Sequence, residues 1–391
     1  MTDTTNSGLP GLSGPLAGTR VIELAGIGPG PYCAMLLADL GADVIRIDRP
    51  ATEAARDNPN NRFAVLQRSR RSIAVDLKQP EAVDLVLDMT ARSHALIEGF
   101  RPGVTERLGL GPDICLAANP ALVYGRMTGW GQDGPMSHTA GHDINYIALT
   151  GALNAIGGPE RPVPPLNLVG DFGGGGVFLA FGVCAALVHA LRTGEGQVVD
   201  TAMTEGAASL MAATYGGFAS GRIVNERQSN MTDGGAYFYG VYECADGKFV
   251  SVGSIEGKFH DELLELTGLD DAPTSDRFDR VHWDDKRQRL AAIFATRTRD
   301  EWDDILNGSD ICYAPVLDLV EAPQHPHNVA REAFVDVDGV VQPAPTPRFS
   351  ATPGTVAGPP TGPGRHTDDV LTDFGYDGNQ IADLRSRGVV C

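Results

Sequence analysis

The pattern that most constrains this chain lies near its start. A strand-like run at Arg20–Leu24 leads into the loop Ala25-Gly26-Ile27-Gly28-Pro29-Gly30, a helical pattern from Pro31 to Leu40 and a second strand-like run at Ala42–Ile47. Pro31 suits the first turn of a helix, where its missing N–H is not needed. Two strands joined through a helix make a βαβ unit, and strands joined that way lie parallel. The alternation continues, with strands expected at Ser72–Asp76, Ala95–Glu98 and Leu122–Met127 and a helix at Glu81–Thr90. The expected fold class is therefore α/β, built on a parallel sheet.

Further along, Gly170–Gly194 reads as a turn running into a helix. Asp171 caps the start, glycines 173–176 make the turn, and an apolar helix continues to Arg192. Another helix is expected at Ala202–Tyr215. Beyond it the chain changes character. Phe238–Cys244 and Lys248–Gly253 flank Ala245-Asp246-Gly247, an Asp-Gly turn of the hairpin kind. Helical patterns follow at Phe259–Leu266 and Trp283–Ala295. A chain of 391 residues exceeds one ordinary core. These changes predict a flexible leader at 1–18, a large α/β domain at 19–229 and a smaller α+β domain at 230–325. A Pro-rich segment at 326–391 is expected to return to the large domain. No internal repeat is evident.

Charge narrows the partners. The chain carries 31 Lys and Arg against 50 Asp and Glu, a net of −19. That balance argues against nucleic acid and anionic membranes, which both need basic surface. Residues 49–78 run against the trend, with Arg49, Arg56, Arg62, Arg68, Arg70, Arg71 and Lys78 against three acidic residues. Such an island suits a small polyanion, since Arg and Lys are the usual answer to phosphates; a solvated loop would read the same way. The six cysteines (Cys33, Cys115, Cys184, Cys244, Cys312, Cys391) stand far apart, unlike a disulfide framework or a zinc site. The first 18 residues lack the regions of a signal peptide. The longest apolar run, Val177–Leu191, is interrupted by His189 and falls short of a membrane span. A cytoplasmic location is expected.

Three motifs bear on chemistry. Gly26-x-Gly28-x-Gly30, with Asp48 ending the next strand, imitates a dinucleotide fingerprint, but Pro31 stands where the third glycine belongs. It reads as a tight strand-to-helix turn rather than an NAD site. Ala140-Gly141-His142-Asp143-Ile144-Asn145-Tyr146 follows the Gly-rich stretch Gly129–Gly134. His142 is either structural or a group that exchanges protons near neutral pH. In Gly170-Asp171-Phe172-Gly173-Gly174-Gly175-Gly176, Asp171 is either a plain N-cap or a carboxylate exposed at a helix start.

Together these segments resemble the family III CoA-transferase superfamily and, within it, the α-methylacyl-CoA racemases. The likeness covers residues 15–355. It rests on Val21–Pro31, Leu37–Asp43, Arg46–Pro50, Val75–Lys78, Arg101–Arg107, Gly129–Pro135, Ala140–Tyr146 and Gly170–Gly174, eight segments in register. The resemblance implies a large Rossmann-like, nucleotide-binding-type domain, a smaller α+β domain and two chains interlocked as a homodimer. It implies His142 and Asp171 as catalytic groups, and Glu256, in Ser251-Val-Gly-Ser-Ile-Glu256, as the partner of the histidine. It further implies coenzyme A contacts at Arg49, at Val75, Asp76, Leu77 and Lys78, at Arg107, and at Gly141, His142, Asp143, Ile144, Asn145 and Tyr146. The leader before Leu16 is extra, and the last 35 residues match only loosely.

Transferases of the superfamily resemble the chain at Asp171, where the aspartate attacks the thioester and becomes an acyl anhydride. They typically lack the histidine, and many have a glycine-rich loop where this chain has Gly253-Ser-Ile-Glu-Gly257. The resemblance therefore implies a racemase, with a family III CoA-transferase as the alternative. A racemase of this kind removes the proton beside the thioester carbonyl and returns it to the opposite face, so two groups are needed. His142, tuned by Glu256, would be one and Asp171 the other. The enolate oxygen would meet backbone N–H groups that begin the helix after Asp171. No metal, flavin or pyridoxal phosphate is expected; coenzyme A is part of the substrate.

Overall fold

Near-continuous burial along short β runs sets the architecture. In the computed structural model, which describes residue 9 and residues 12–269 and 276–391, six runs form one sheet: β1 (Arg20–Leu24), β2 (Asp43–Asp48), β3 (Arg70–Ala74), β4 (Ala95–Glu98), β5 (Val123–Thr128) and β6 (Gln197–Ala202). Their order is β3-β2-β1-β4-β5-β6, with every pair parallel. Ile22, Ile45, Leu96 and Tyr124 face one apolar layer; Val21, Val44, Ala95 and Val123 face the other. A sheet buried on both sides needs helices on both sides. Helix α1 (Pro29–Asp39) joins the second layer, and α2 (Pro80–Ala91) joins the first. The crossovers reverse direction between β1 and β4, and a crevice opens at the carboxyl ends of the strands there.

The chain packs as two compact units. One holds Met1–Thr150, Leu166–Leu210 and Arg331–Cys391; the other holds Gly151–Pro165 and Met211–Ala330. The break expected near 229/230 thus falls between Leu210 and Met211, and a short upstream piece joins the smaller unit. Residues 1–8, 10 and 11, most of the expected leader, lie outside the described residues. The C-terminal stretch supplies two helices, Thr367–Asp373 and Gly378–Ser386, whose Val370, Leu371, Phe374 and Ile381 complete the layer over α2. The smaller unit contains β7 (Tyr239–Glu243) and β8 (Phe249–Gly253), an antiparallel hairpin around Gly247 (φ +74°), with β9 (Tyr313–Val316) beside β8. Three helices, Gly257–Thr267, Trp283–Phe294 and Arg299–Leu306, accompany an aromatic core of Tyr237, Phe238, Trp283, Phe294 and Trp302.

Several elements differ from expectation. Strand β3 starts two residues early, at Arg70. Arginine pairs weigh against a buried strand in any hydropathy reading, yet Arg70 and Arg71 are buried here because Glu23, Asp43 and Asp373 neutralise them. The segment at Asp171 is not a cap followed by a turn. A π-helical stretch, Leu168–Val177, runs straight into the helix Phe178–Thr193, so Asp171 sits in the first turn and the glycines lie inside the helix. We label the whole span α4. Its glycines permit a close crossing with α5 (Met203–Leu210): a Cβ on Gly206 would lie 1.8 Å from the carbonyl oxygen of Gly174. Packing therefore compensates the usual cost of glycine in a helix. The helix expected at Ala202–Tyr215 is two, α5 and Ala212–Ala219. Finally, α4 spans 26 residues and is by length and composition apolar enough to cross a membrane, which the shorter run read from the sequence is not. Half of that apolar window is buried within the protein.

Candidate active site

A cavity of roughly 540 Å³ opens at the carboxyl edge of the sheet, where β1 and β4 part. All of its lining residues belong to the large unit. Residues 26–31, running into α1, form one wall, 98–102 from the end of β4 another, and 127–130 from the end of β5 a third. Across from these stand Gly141, His142 and Tyr146 on one side and Asn167 and Asp171 on the other. The structure thus brings His142 and Asp171, 29 positions apart in the chain, to one cavity.

Each is presented by a different device. His142 is the extended residue (φ −132°, ψ 173°) that caps α3 (Asp143–Ala148), and its backbone N–H donates to Asn145 Oδ1 at 3.1 Å. Its side chain is exposed. Just before it, the Tyr146 hydroxyl donates to the Gly141 carbonyl, and the Tyr146 ring meets Trp130 edge-on with centroids 4.8 Å apart. Gly129 and Gly141 are required for this, since a Cβ on either would run into the Tyr146 ring. Asp171 is half-buried. Asn167 Nδ2 donates to its Oδ2 at 3.2 Å, and Gly28 (φ +69°) comes so near that a Cβ would lie 3.3 Å from that oxygen.

Burial lifts the Asp171 carboxyl above its ordinary range; the Asn167 hydrogen bond opposes this, the Asp143 carboxylate reinforces it and His142 opposes it. Burial, together with the charge of Asp171, likewise pushes the Tyr146 phenol up. A carboxyl raised in this way holds its proton to higher pH, which suits a group that must give one as well as take one.

The oxyanion donors expected after Asp171 are not free. The helix starts three residues before Asp171; the Asp171 N–H donates to Asp143 Oδ1 and the Phe172 N–H to the Asn167 carbonyl. The donors that lack an intrahelical acceptor are instead in the first turn of α3, at Asp143 and Ile144, adjoining His142.

Glu256 is exposed and caps the helix Gly257–Thr267 in the smaller unit, and it does not line the cavity. Arg49, directly after β2, Lys78, four positions after β3, and Arg107, the last residue of the helix Val104–Arg107, are exposed, and none of them lines the cavity. Val75 is buried and bridges to Val390, the Asp76 N–H donates to the Val389 carbonyl, and Leu77 packs against the core beside them.

Three of the seven basic residues of the island are internal. Arg68 forks onto Asp39, Arg70 pairs with Glu23, and Arg71 lies between Asp43 and Asp373, all three buried. Arg62 donates to the Asp338 carbonyl. Clustered charge in the sequence could not distinguish ligand contacts from internal pairs, because their acidic partners come from up to 302 positions away. Reading the residues one by one also missed Trp130, Asn167 and Arg101 as cavity residues; only the Gly-rich stretch at 129–134 pointed toward the first.

A family model described as CoA-transferase family III matches residues 16–367. The chain is 41% identical over 378 residues to the alpha-methylacyl-CoA racemase of Mus musculus, covering 96% of this chain and 97% of that one. It is 40% identical over 381 residues to the alpha-methylacyl-CoA racemase of Homo sapiens, with the same coverage. Among solved structures, a CaiB/BaiF family protein from Brucella suis superposes with a TM-score of 0.80 at 24% identity, over 93% of this chain and all of that one.

Proposed function

The chain belongs to CoA-transferase family III, and on that premise we propose that it is a racemase of 2-methylacyl-CoA thioesters working by 1,1-proton transfer. The observation that carries this reading is the meeting of His142 and Asp171 in one cavity. It is supported by near-full-length similarity to two proteins named as racemases.

In this reading one base removes the α-proton, the electron pair moves into the thioester carbonyl, and the other group protonates the carbon from the opposite face. The hydrogen beside a thioester is far less acidic than either side chain. The barrier therefore falls only if the enolate is stabilised as it forms. We assign that role to the first-turn amides of α3, which adjoin His142. The reaction as written needs no metal, flavin or pyridoxal phosphate, and coenzyme A enters with the substrate. Racemic product with deuterium at the α-carbon, after incubation of one 2-methylacyl-CoA epimer in D₂O, is the expected result. A hydroxylamine-trappable anhydride at Asp171, with no exchange, would favour the transferase alternative.

We assign the nucleotide end of coenzyme A to Arg49, Lys78 and Arg107, with Val75–Leu77 and Gly141–Tyr146 along its path. Arg49→Ala is expected to raise KM for acyl-CoA about 10-fold and leave kcat within a factor of about two, since uniform binding is lost. A pantetheine thioester lacking the nucleotide should not notice the change; equal losses for both substrates would remove Arg49 from the site.

Glu256 is proposed to orient and tune His142. Glu256→Gln should lower kcat about 10-fold or more and alter the histidine limb of the pH–rate profile, where general-base catalysis is read. A wild-type profile would exclude that role.

The chain is further proposed to act as a cytoplasmic homodimer. Support comes from α4, where Val177, Phe181, Val188 and Leu191 stand exposed along one face, with Phe181 at 72% and Leu191 at 75%. Sedimentation should report twice the chain mass, reduced to the monomer in Phe181→Asp. Cell fractionation tests the location.

A further inference from the structure

Asp143 follows His142 in the chain but faces the other base. It is the first residue of α3 and only 7% exposed, and its Oδ1 accepts the backbone N–H of Asp171 at 2.7 Å. The approach is built into the neighbouring backbone. A Cβ on Gly170 would lie 2.4 Å from that same oxygen, so only glycine leaves room for the bond. The other carboxylate oxygen, Oδ2, is buried and finds no hydrogen-bond partner among the described residues. A buried carboxylate with one oxygen unpartnered is costly to folding. Helix α3 would start as well from an exposed acid, and the Asp171 amide could be met by a neutral acceptor. The cost has a counterpart in what Asp143 joins.

We propose that Asp143 is a positioning residue that ties the two proton-transfer groups together, holding His142 through the adjoining peptide and Asp171 through its amide. The same turn holds His142 a second way, since Asn145 Oδ1 accepts the His142 N–H at 3.1 Å. Asp171 has the Asn167 side chain on its carboxylate, and its backbone N–H donates to Asp143. That asymmetry gives the proposal a directional consequence. Loss of the Asp143 side chain frees Asp171 more than it frees His142, and misplacement of about 1 Å in a reacting group is enough to cost on the order of 100-fold. The Asp143 carboxylate also adds to the upward shift of the Asp171 carboxyl.

The inference rests on the racemase reading, and its test separates the two. Resolved epimers of a 2-methylacyl-CoA are incubated in D₂O with wild type, His142→Ala, Asp143→Ala, Asp143→Asn and Gly170→Ala. His142→Ala identifies the epimer whose exchange depends on Asp171. Asp143→Ala should slow exchange into that epimer about 100-fold relative to the other, with KM changed less than about 3-fold. Asp143→Asn, which keeps an oxygen acceptor, should bring the ratio back to within about 10-fold of wild type. Gly170→Ala leaves Asp143 in place but forces its oxygen away, and should reproduce the one-sided loss. It carries the test if Asp143→Ala does not fold. Equal slowing of both epimers, or an unchanged ratio in Asp143→Ala or Gly170→Ala, overturns the positioning role while leaving the racemase reading intact. A wild type that neither exchanges nor racemises defeats that reading, and racemisation without exchange defeats the two-base mechanism; this inference falls with either.

Discussion

Asp171→Asn is expected to abolish racemisation in both directions, a loss of about 10³-fold or more in kcat, while deuterium exchange survives in one epimer only. The amide cannot take the proton, so one face of the α-carbon is left without a base. His142 still serves the opposite face and can remove and return hydrogen there. His142→Ala is the mirror experiment, with residual exchange confined to the other epimer through Asp171. The resemblance to the racemases implies His142 for the S epimer and Asp171 for the R, and the pair of variants tests that assignment directly. Racemisation at the normal rate in Asp171→Asn would end the two-base mechanism. Wild-type racemisation without uptake of solvent deuterium would point to transfer by a single shielded group.

Arg68→Ala should cost about 3–5 kcal/mol of stability, because it leaves a buried charge without its partner. The Arg68 guanidinium reaches Asp39 with Nε at 3.0 Å and Nη2 at 2.5 Å, and Nη1 donates to Gln342 Oε1 at 2.9 Å and to the Pro343 carbonyl at 2.7 Å. It therefore joins the end of α1 to the returning C-terminal stretch. Burial already lifts the Asp39 carboxyl above its ordinary range; Arg68 opposes that rise most, with a smaller contribution from Arg70. A raised folded-state pKa favours the folded state at low pH and weakens it as pH rises through that value. The deficit in Arg68→Ala should thus be largest near neutrality and narrow on acidification. Urea unfolding at pH 7 and pH 5 measures both statements. A loss below about 1 kcal/mol at pH 7, with KM for acyl-CoA raised instead, would mean that Arg68 binds ligand after all.

The opening βαβ unit was legible because strand, turn and helix are local. Arg20–Leu24 and Ala95–Glu98 occur as read, and the hairpin turn at Ala245–Gly247 announces itself by residue type. The motif segments marked His142 and Asp171, since a histidine or an aspartate in a Gly-rich segment can be noticed without knowing its neighbours. Strand β3 could not be bounded that way. Its first two residues are arginines, and only Glu23, Asp43 and Asp373, brought in from other elements, make their burial tolerable.

The same limit applied at the site. Asp171 preceding four glycines reads as a cap and a turn, because glycine disfavours helix when nothing packs on it. In the folded chain Gly174 and Gly206 let α4 and α5 nearly touch, and the helix runs through. That decided which amides are free: those at Asp171 and Phe172 are taken, and the proposed oxyanion donors are those at the start of α3. Residue chemistry and short-range periodicity were properties of the sequence alone. Which charges are spent on internal pairs, which glycines lie inside a helix and which carboxylate holds another in place depended on residues distant in the chain. Pairing and close packing are settled by distances in space, and no local pattern records them.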